Sequence, residues 1–140
     1  MQSENEDWES LSLSLKNRVG QMQDADFETL ALDVFRYQAS HNPLYHLYLG
    51  LLGVDVNSIS SIGEIPFLPI ELFKNHLVQS GFAPILFQFE SSGTTGQIPS
   101  KHIVCDPAFY QSQAKRIFES NYGSLKDYHI FALLPSYLER

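Results

Sequence analysis

Residues 84–105 read PILFQFESSGTTGQIPSKHIVC. Apolar residues alternate with their neighbours over residues 85–90, and a period of two predicts a β-strand. A polar loop follows at residues 91–100, and residues 102–105 predict a second short strand. We therefore expect two strands joined by a loop rich in Gly, Ser and Thr.

The loop between these strands has the composition of an anion-binding turn. Gly93 and Gly96 lie three residues apart, and glycine lets the backbone take positive φ and approach a ligand closely. Successive backbone N–H groups in such a loop form a nest for anions, and Lys101 adds a positive charge. The hydroxyl groups around the glycines belong to Ser91, Ser92, Thr94 and Thr95. This pattern suits phosphate oxygens, and a plain turn is the alternative that the residues alone leave open.

Two better-known phosphate loops do not fit this stretch. A Walker A loop places Lys and then Ser or Thr after its second glycine, at the start of a helix. Here Gln97 follows Gly96, and Ser100 precedes Lys101. The dinucleotide fingerprint fails as well, because the glycine spacing and the following helix are missing. The residues therefore predict a hairpin-type phosphate loop.

Beyond the second strand, the pattern predicts a helix and a further strand. Asp106-Pro107 is typical of an N-cap and first helical position, and Gly123 ends the helical pattern. The nearly continuous apolar run from Tyr128 to Leu134 is typical of a strand covered on both faces. Strand, helix and strand in this order predict an α/β fold, with a helical start followed by sheet strands and flanking helices.

The preceding part of the chain predicts two consecutive helices. Asp24 or Asp26 can cap the first, whose apolar residues follow at helical spacing. Asn42 then serves as the N-cap of the second helix, with Pro43 at its first position. Gly53 is expected to end that helix.

The chain of 140 residues, 44% of them hydrophobic, has the length and composition of one globular domain. Residues 1–20 are expected to form an acidic lead-in that is frayed at first, and residues 11–20 fit either a strand or a helix turn. Residues 21–83 form the helical region, with a short helix from about Ile70 to Val78. Residues 84–140 hold the strand-loop-strand-helix-strand segment.

The last predicted strand comes at the end of the chain, although its composition is that of a central strand. We therefore expect residues 1–140 to be a partial domain, the N-terminal part of something longer. The unpaired backbone groups at the exposed edge of such a strand can form hydrogen bonds with a strand of another chain. The chain is accordingly expected to self-associate, by edge pairing or by exchange of elements.

Charge and composition exclude several classes of function. The formal net charge of −7 argues against nucleic acid as a partner. No apolar run approaches a membrane span, and the acidic N-terminus is unlike a secretory signal, so the expected location is cytoplasmic. The five His residues show no metal-ligand spacing, which predicts no metal site in the protein. Cys105, the one cysteine, is interpreted as a small buried hydrophobe.

The loop and its flanks resemble a known family. Residues 92–101, SGTTGQIPSK, are similar to the phosphate loop of the adenylate-forming superfamily, which includes acyl-CoA synthetases and peptide-synthetase adenylation domains. The wider stretch FESSGTTGQIPSKH resembles the fatty acyl-protein synthetase family, the synthetase component of bacterial luminescence systems. The segments ALDVFRYQ (31–38), NPLY (42–45) and IPFLPI (65–70) look like that family's opening. The likeness covers roughly residues 20–140.

This resemblance implies ATP-dependent activation of a fatty acid or other carboxylic acid as acyl-AMP. The acyl group would then pass to a thiol and on to an acceptor, with an acyl-acceptor or reductase protein as partner. ATP and Mg²⁺ are the implied cofactors. The residues that would bind the ATP phosphates, or shape the loop around them, are Ser92, Gly93, Thr94, Thr95, Gly96 and Lys101.

The same resemblance implies that the other catalytic and nucleotide-binding motifs of the family come later in sequence. The family's ribose-binding Asp and catalytic Lys belong to later motifs, and no catalytic residue is located in these 140 residues. Gln97-Ile98 also departs from the commoner superfamily pattern, which has Lys or Arg there. The alternative function is a non-catalytic module, derived from an adenylating domain, that binds a nucleotide or a partner protein.

Overall fold

The structure is a computed structural model that describes the backbone of residues 2–91 and 99–131 and the side chains of residues 8–91 and 99–131. The chain divides into two compact units, Met1–Pro107 and Ala108–Arg140. The described part is mostly helical with a small antiparallel sheet of two strands, so its content is mixed α and β. Within those ranges, no helix has the length and apolar character needed to span a membrane.

Five α-helices and two strands make up the regular structure of the described ranges. In chain order they are α1 (Gln2–Gln21), α2 (Phe27–His41), α3 (Pro43–Leu52), α4 (Leu72–Asn75), β1 (Phe87–Glu90), β2 (Lys101–Val104) and α5 (Pro107–Tyr122). Single 3₁₀ turns lie at Asp24–Asp26, Val56–Ser58, Ile62–Glu64 and Leu125–Asp127.

The junction of α2 and α3 follows the local signals in the sequence. Asn42 is the N-cap of α3, and its Oδ1 accepts a hydrogen bond from the Tyr45 N–H at 3.1 Å. Pro43 occupies the first turn, and Gly53 ends the helix in the left-handed conformation at φ 67°. These three predictions are confirmed. Asp26 is the N-cap of α2, although its side chain makes no capping hydrogen bond.

The hydrophobic core lies between α2 and α3 and the loops that follow them. Its buried members are Leu32, Phe35, Ala39, Tyr45, Leu49 and Ile59. The rings of Phe35 and Tyr45 meet edge to face, with centroids 6.1 Å apart. The Tyr45 hydroxyl donates to the Pro66 carbonyl at 2.6 Å, which satisfies the polar end of a buried ring. The core is thus built by the helical region, and β1 is exposed along its whole length.

The N-terminal segment differs from the expected lead-in, because α1 is a regular helix from Gln2 to Gln21. Trp8 is only 8% exposed, and its ring lies directly against Gly81. Lys16 Nζ pairs with Asp106 Oδ2 at 2.7 Å. The buried Trp8 ring and the ion pair of Lys16 hold α1 against parts of the first unit that are distant in sequence. The sequence of residues 1–20 alone contains no signal for either contact.

Two further predictions need correction. The helix expected from Ile70 to Val78 is confined to Leu72–Asn75. The described part of the strand predicted at Tyr128–Leu134 is not a strand, and residues 132–134 lie outside the described residues. Its Phe131 is 89% exposed. A strand needs a neighbour for its backbone groups, and the described part of Ala108–Arg140 supplies none.

Candidate phosphate-binding hairpin

β1 and β2 form an antiparallel hairpin around the loop that the sequence singled out. The facing pairs are Phe87 with Val104, Gln88 with Ile103, Phe89 with His102, and Glu90 with Lys101. Both predicted strands are confirmed, with bounds that differ by one or two residues. Past the last pair, the Ser91 N–H donates to the Ser100 carbonyl at 3.0 Å, and the Ser100 N–H donates to Ser91 Oγ at 2.9 Å. These two bonds close the base of the loop.

Five of the six residues expected to bind or surround the phosphates belong to the loop itself. Ser92, Gly93, Thr94, Thr95 and Gly96 fall in residues 92–98, which lie outside the described residues. The setting of the loop is nonetheless defined by Ser91 and Ser100, which bring its two ends together. Because β2, and not a helix, follows the loop, the hairpin setting expected from the sequence is the one observed, and a Walker A arrangement is excluded.

Lys101, the remaining residue of the expected site, is the first residue of β2 and is exposed. It faces Glu90 across the hairpin, and directly opposed residues project their side chains to the same face of a sheet. The Glu90 carboxylate also accepts a hydrogen bond from Gln88 Nε2 at 3.0 Å. Glu90 therefore offsets part of the positive charge that Lys101 presents to an anion at the loop.

An open groove of about 450 Å³ lies at the base of the loop. Ile70, next to α4, and Phe73, within it, contribute apolar surface, and Phe89 adds an aromatic ring from β1. The polar side of the groove consists of Glu90, Ser91, Ser100, Lys101 and His102. Sequence reasoning missed this juxtaposition, because the predicted helix carried no signal that it packs beside the hairpin.

A second, mostly apolar cavity of about 360 Å³ lies beside the helical core. Phe73 lines this cavity as well as the groove. Gln38 and Asn42 are the polar residues of its wall, and the other lining residues are Phe27, Ala31, Val34, Phe35, Tyr45, Ile62, Ile65, Phe67, Leu68, Phe73 and Val78. Cavities of this size and composition suit an apolar ligand.

Cys105 follows β2 directly and is half-buried. Burial raises the pKa of its thiol, and the nearby Lys16 charge acts in the opposite direction. Gln79 Nε2 lies 3.5 Å from Sγ. A thiol with a raised pKa is a poor nucleophile at neutral pH, which fits the interpretation of Cys105 as a packing residue.

The described residues contain no cluster of three or more His, Cys, Asp or Glu side chains that could hold a metal ion. An Mg²⁺ ion that enters with ATP is held chiefly by phosphate oxygens and water, so it does not require such a cluster. Among the described residues that line the groove, Glu90 is the one carboxylate.

Comparison of the chain with protein-family models, with curated proteins and with solved structures found no match. The likeness of residues 89–102 to the fatty acyl-protein synthetase loop therefore stands on the sequence itself.

Proposed function

We propose that this chain carries the phosphate-loop part of an ATP-dependent ligase that activates a fatty or other apolar carboxylic acid. In the proposed reaction the carboxylate oxygen attacks the α-phosphorus of ATP, the bond to the β-phosphate oxygen breaks, and acyl-AMP and pyrophosphate form. A thiol then takes the acyl group and AMP leaves. The loop at residues 92–98 and Lys101 would bind the phosphates, where backbone donors stabilise the developing charge.

One observation supports this proposal: Phe73 lines both the groove at the base of the loop and the apolar cavity. A ligase of this kind must bring a carboxylate to a phosphate while it holds an apolar tail in a dry site. The hairpin supplies the phosphate side, and the cavity supplies the apolar side. A simple turn between strands has no need of a neighbouring apolar cavity.

Titration of the chain with Mg²⁺ and ATP in a calorimeter tests the phosphate side. The double variant Thr94→Ala/Thr95→Ala removes two hydroxyl donors, and each lost bond to a charged phosphate should weaken binding by roughly 10- to 150-fold. Ser112→Ala/Ser120→Ala is the matched control, because these hydroxyls bond within α5 to Phe109 and Ile117. Equal ATP affinity in the loop variant and the unchanged chain would refute the phosphate-loop assignment.

The same titration in the presence of a long-chain fatty acid separates the ligase from the nucleotide-binding module. If the acid occupies the cavity and changes the affinity for ATP, ATP must change the affinity for the acid by the same factor. A binding module without an acid site gives one ATP affinity with and without the acid. Phe73→Ala should weaken this coupling, because Phe73 lines both spaces.

A further inference from the structure

Asn42 is the buried polar residue at the junction of α2 and α3, and it lines the apolar cavity beside the helical core. Only 6% of its surface is exposed. Its Oδ1 accepts the capping hydrogen bond from the Tyr45 N–H, and this bond fixes which end of the amide is oxygen and which is nitrogen. Within residues 8–91 and 99–131, its Nδ2 donates to no other group. Asn42 therefore keeps two N–H donors unused in the wall of an apolar cavity.

The chemistry of the ligand decides what these donors contribute to binding. When a hydrocarbon chain fills the cavity and displaces water, the Asn42 N–H groups lose the solvent to which they could donate. An amide left unpaired in this way weakens the binding of the hydrocarbon. A ligand with an oxygen atom at this point of its chain accepts the hydrogen bond instead, and the apolar lining, which includes Ile65 and Leu68, still holds the rest of the chain.

Gln38 adds an acceptor one helical turn before Asn42. The Asn42 N–H donates to the Gln38 carbonyl at 2.9 Å, which gives the two side chains the spacing of neighbours on a helix face. Both line the cavity, and Gln38 is exposed. A hydroxyl group accepts and donates, so it can accept from Asn42 Nδ2 and donate to Gln38 Oε1. A keto oxygen can only accept, and a methylene group does neither.

We propose that the cavity selects an apolar acid with a hydroxyl group on its chain, and that Asn42 and Gln38 bind this hydroxyl group. The inference rests on the proposed function and names the class of acid that the ligase would activate. The cavity volume sets the size of the probe. An apolar cavity of about 150 Å³ holds benzene, with its six carbon atoms, so about 360 Å³ holds about 14 non-hydrogen atoms. Dodecanoic acid has this size.

Calorimetry with dodecanoic acid and its monohydroxy derivatives, without ATP, tests the selection. A hydroxyl group at one position of the chain should raise the affinity about 5- to 150-fold over the unsubstituted acid, the range expected when a buried unpaired donor gains a partner. The keto acid with its oxygen at the same position should gain less, because it offers no proton to Gln38. Equal affinities for the unsubstituted acid and every hydroxy acid would overturn the inference.

Two substitutions assign the preference to these residues. Asn42→Ser keeps a side-chain oxygen for the N-cap but removes the Nδ2 donors, and it should lower the affinity for the preferred hydroxy acid to that for the unsubstituted acid. Gln38→Leu leaves the cap intact and should reduce the preference without weakening the binding of the unsubstituted acid. Asn121→Ser in α5 is the matched control, because Asn121 bonds within its own helix and does not line the cavity. A preference that survives Asn42→Ser would overturn the inference.

This inference and the proposed function fail in different measurements. If the hydroxy acid is preferred but Thr94→Ala/Thr95→Ala leaves ATP binding unchanged, the phosphate-loop assignment fails, and the cavity still selects a hydroxyl group. If the loop variant loses ATP affinity and all the acids bind equally, the inference alone fails. If none of the acids binds, the inference and the acid side of the proposed function are both overturned.

Discussion

Replacement of Gly81 by alanine probes the contact that fixes α1. Gly81 has φ 77°, and a Cβ atom there would lie 2.6 Å from Trp8 Cε3 and 2.9 Å from Cζ3. The left-handed backbone costs a non-glycine residue about 1–2 kcal/mol, and overpacking against a rigid ring adds about 1–3 kcal/mol. We therefore expect Gly81→Ala to lower the free energy of unfolding by about 2–5 kcal/mol.

Gly53 is the matched control for this substitution. Its φ is 67°, and a Cβ atom added there would meet nothing within 4 Å, so Gly53→Ala should cost only the backbone term of about 1–2 kcal/mol. Urea unfolding followed by fluorescence measures both variants, because Trp8 is the single tryptophan and is buried. If Gly81→Ala releases α1, the emission of Trp8 shifts to the red before unfolding.

A double-mutant cycle of Gly81 and Trp8 tests whether the extra cost of Gly81→Ala comes from contact with the Trp8 ring. In a Trp8→Ala background the steric part of the Gly81→Ala cost should vanish, which leaves the backbone term. Equal costs for Gly81→Ala and Gly53→Ala in the unchanged chain, or an extra cost that persists without the Trp8 ring, would refute the argued contact.

Three other perturbations have defined outcomes. Asn42→Ala should lower the free energy of unfolding by about 1–2 kcal/mol, because a buried N-cap is lost. Asp26 is an N-cap whose side chain makes no hydrogen bond, so Asp26→Ala should change the free energy of unfolding by no more than about 0.5 kcal/mol in the same urea titration. Hydrogen bonds from the backbone N–H groups of Ser60 and Ser61 hold the pKa of Glu64 below its ordinary value of 4.5. The stability that Glu64 contributes is therefore fully present above pH 4.5, and it is lost as the pH falls through the lower pKa of the folded state. Glu64→Gln should flatten this acid-side loss, and a pH series of unfolding curves that is unchanged by the substitution would contradict it. Glu90→Gln should tighten the binding of pyrophosphate a few-fold at low salt, since the charge facing Lys101 is removed, and the gain should shrink as salt is added; calorimetry that shows weaker binding would count against the assignment of the loop.

The parts of the fold that the sequence predicts are those with local causes. Asn42, Pro43 and Gly53 each act on their own turn of helix, through a cap, a fixed φ and a positive φ, so no knowledge of the rest of the chain is needed. The strands of the hairpin are equally local, because alternation and a glycine-rich loop mark them.

The parts that sequence reasoning missed have causes that lie far away along the chain. Burial of Trp8 depends on Gly81, and the groove at the loop depends on Phe73 beside Phe89. At the apolar run that begins at Tyr128, the sequence predicts a strand, and residues 128–131 do not form one. Hydrophobicity alone does not distinguish a buried strand from an exposed segment, and here the Tyr128 ring packs on Phe118 of its own unit instead.

The position of α1 has a consequence for the order of folding. Lys16 and Asp106 are 90 residues apart in sequence, and closure of so long a loop costs entropy before the contact returns any energy. The helices on either side of Asn42 are sequence neighbours and assemble without that delay. During synthesis α1 leaves the ribosome well before its anchors at Gly81 and Asp106. Until Gly81 and Asp106 have been synthesised, α1 lacks both contacts, and its Trp8 side chain is exposed to chaperones and proteases.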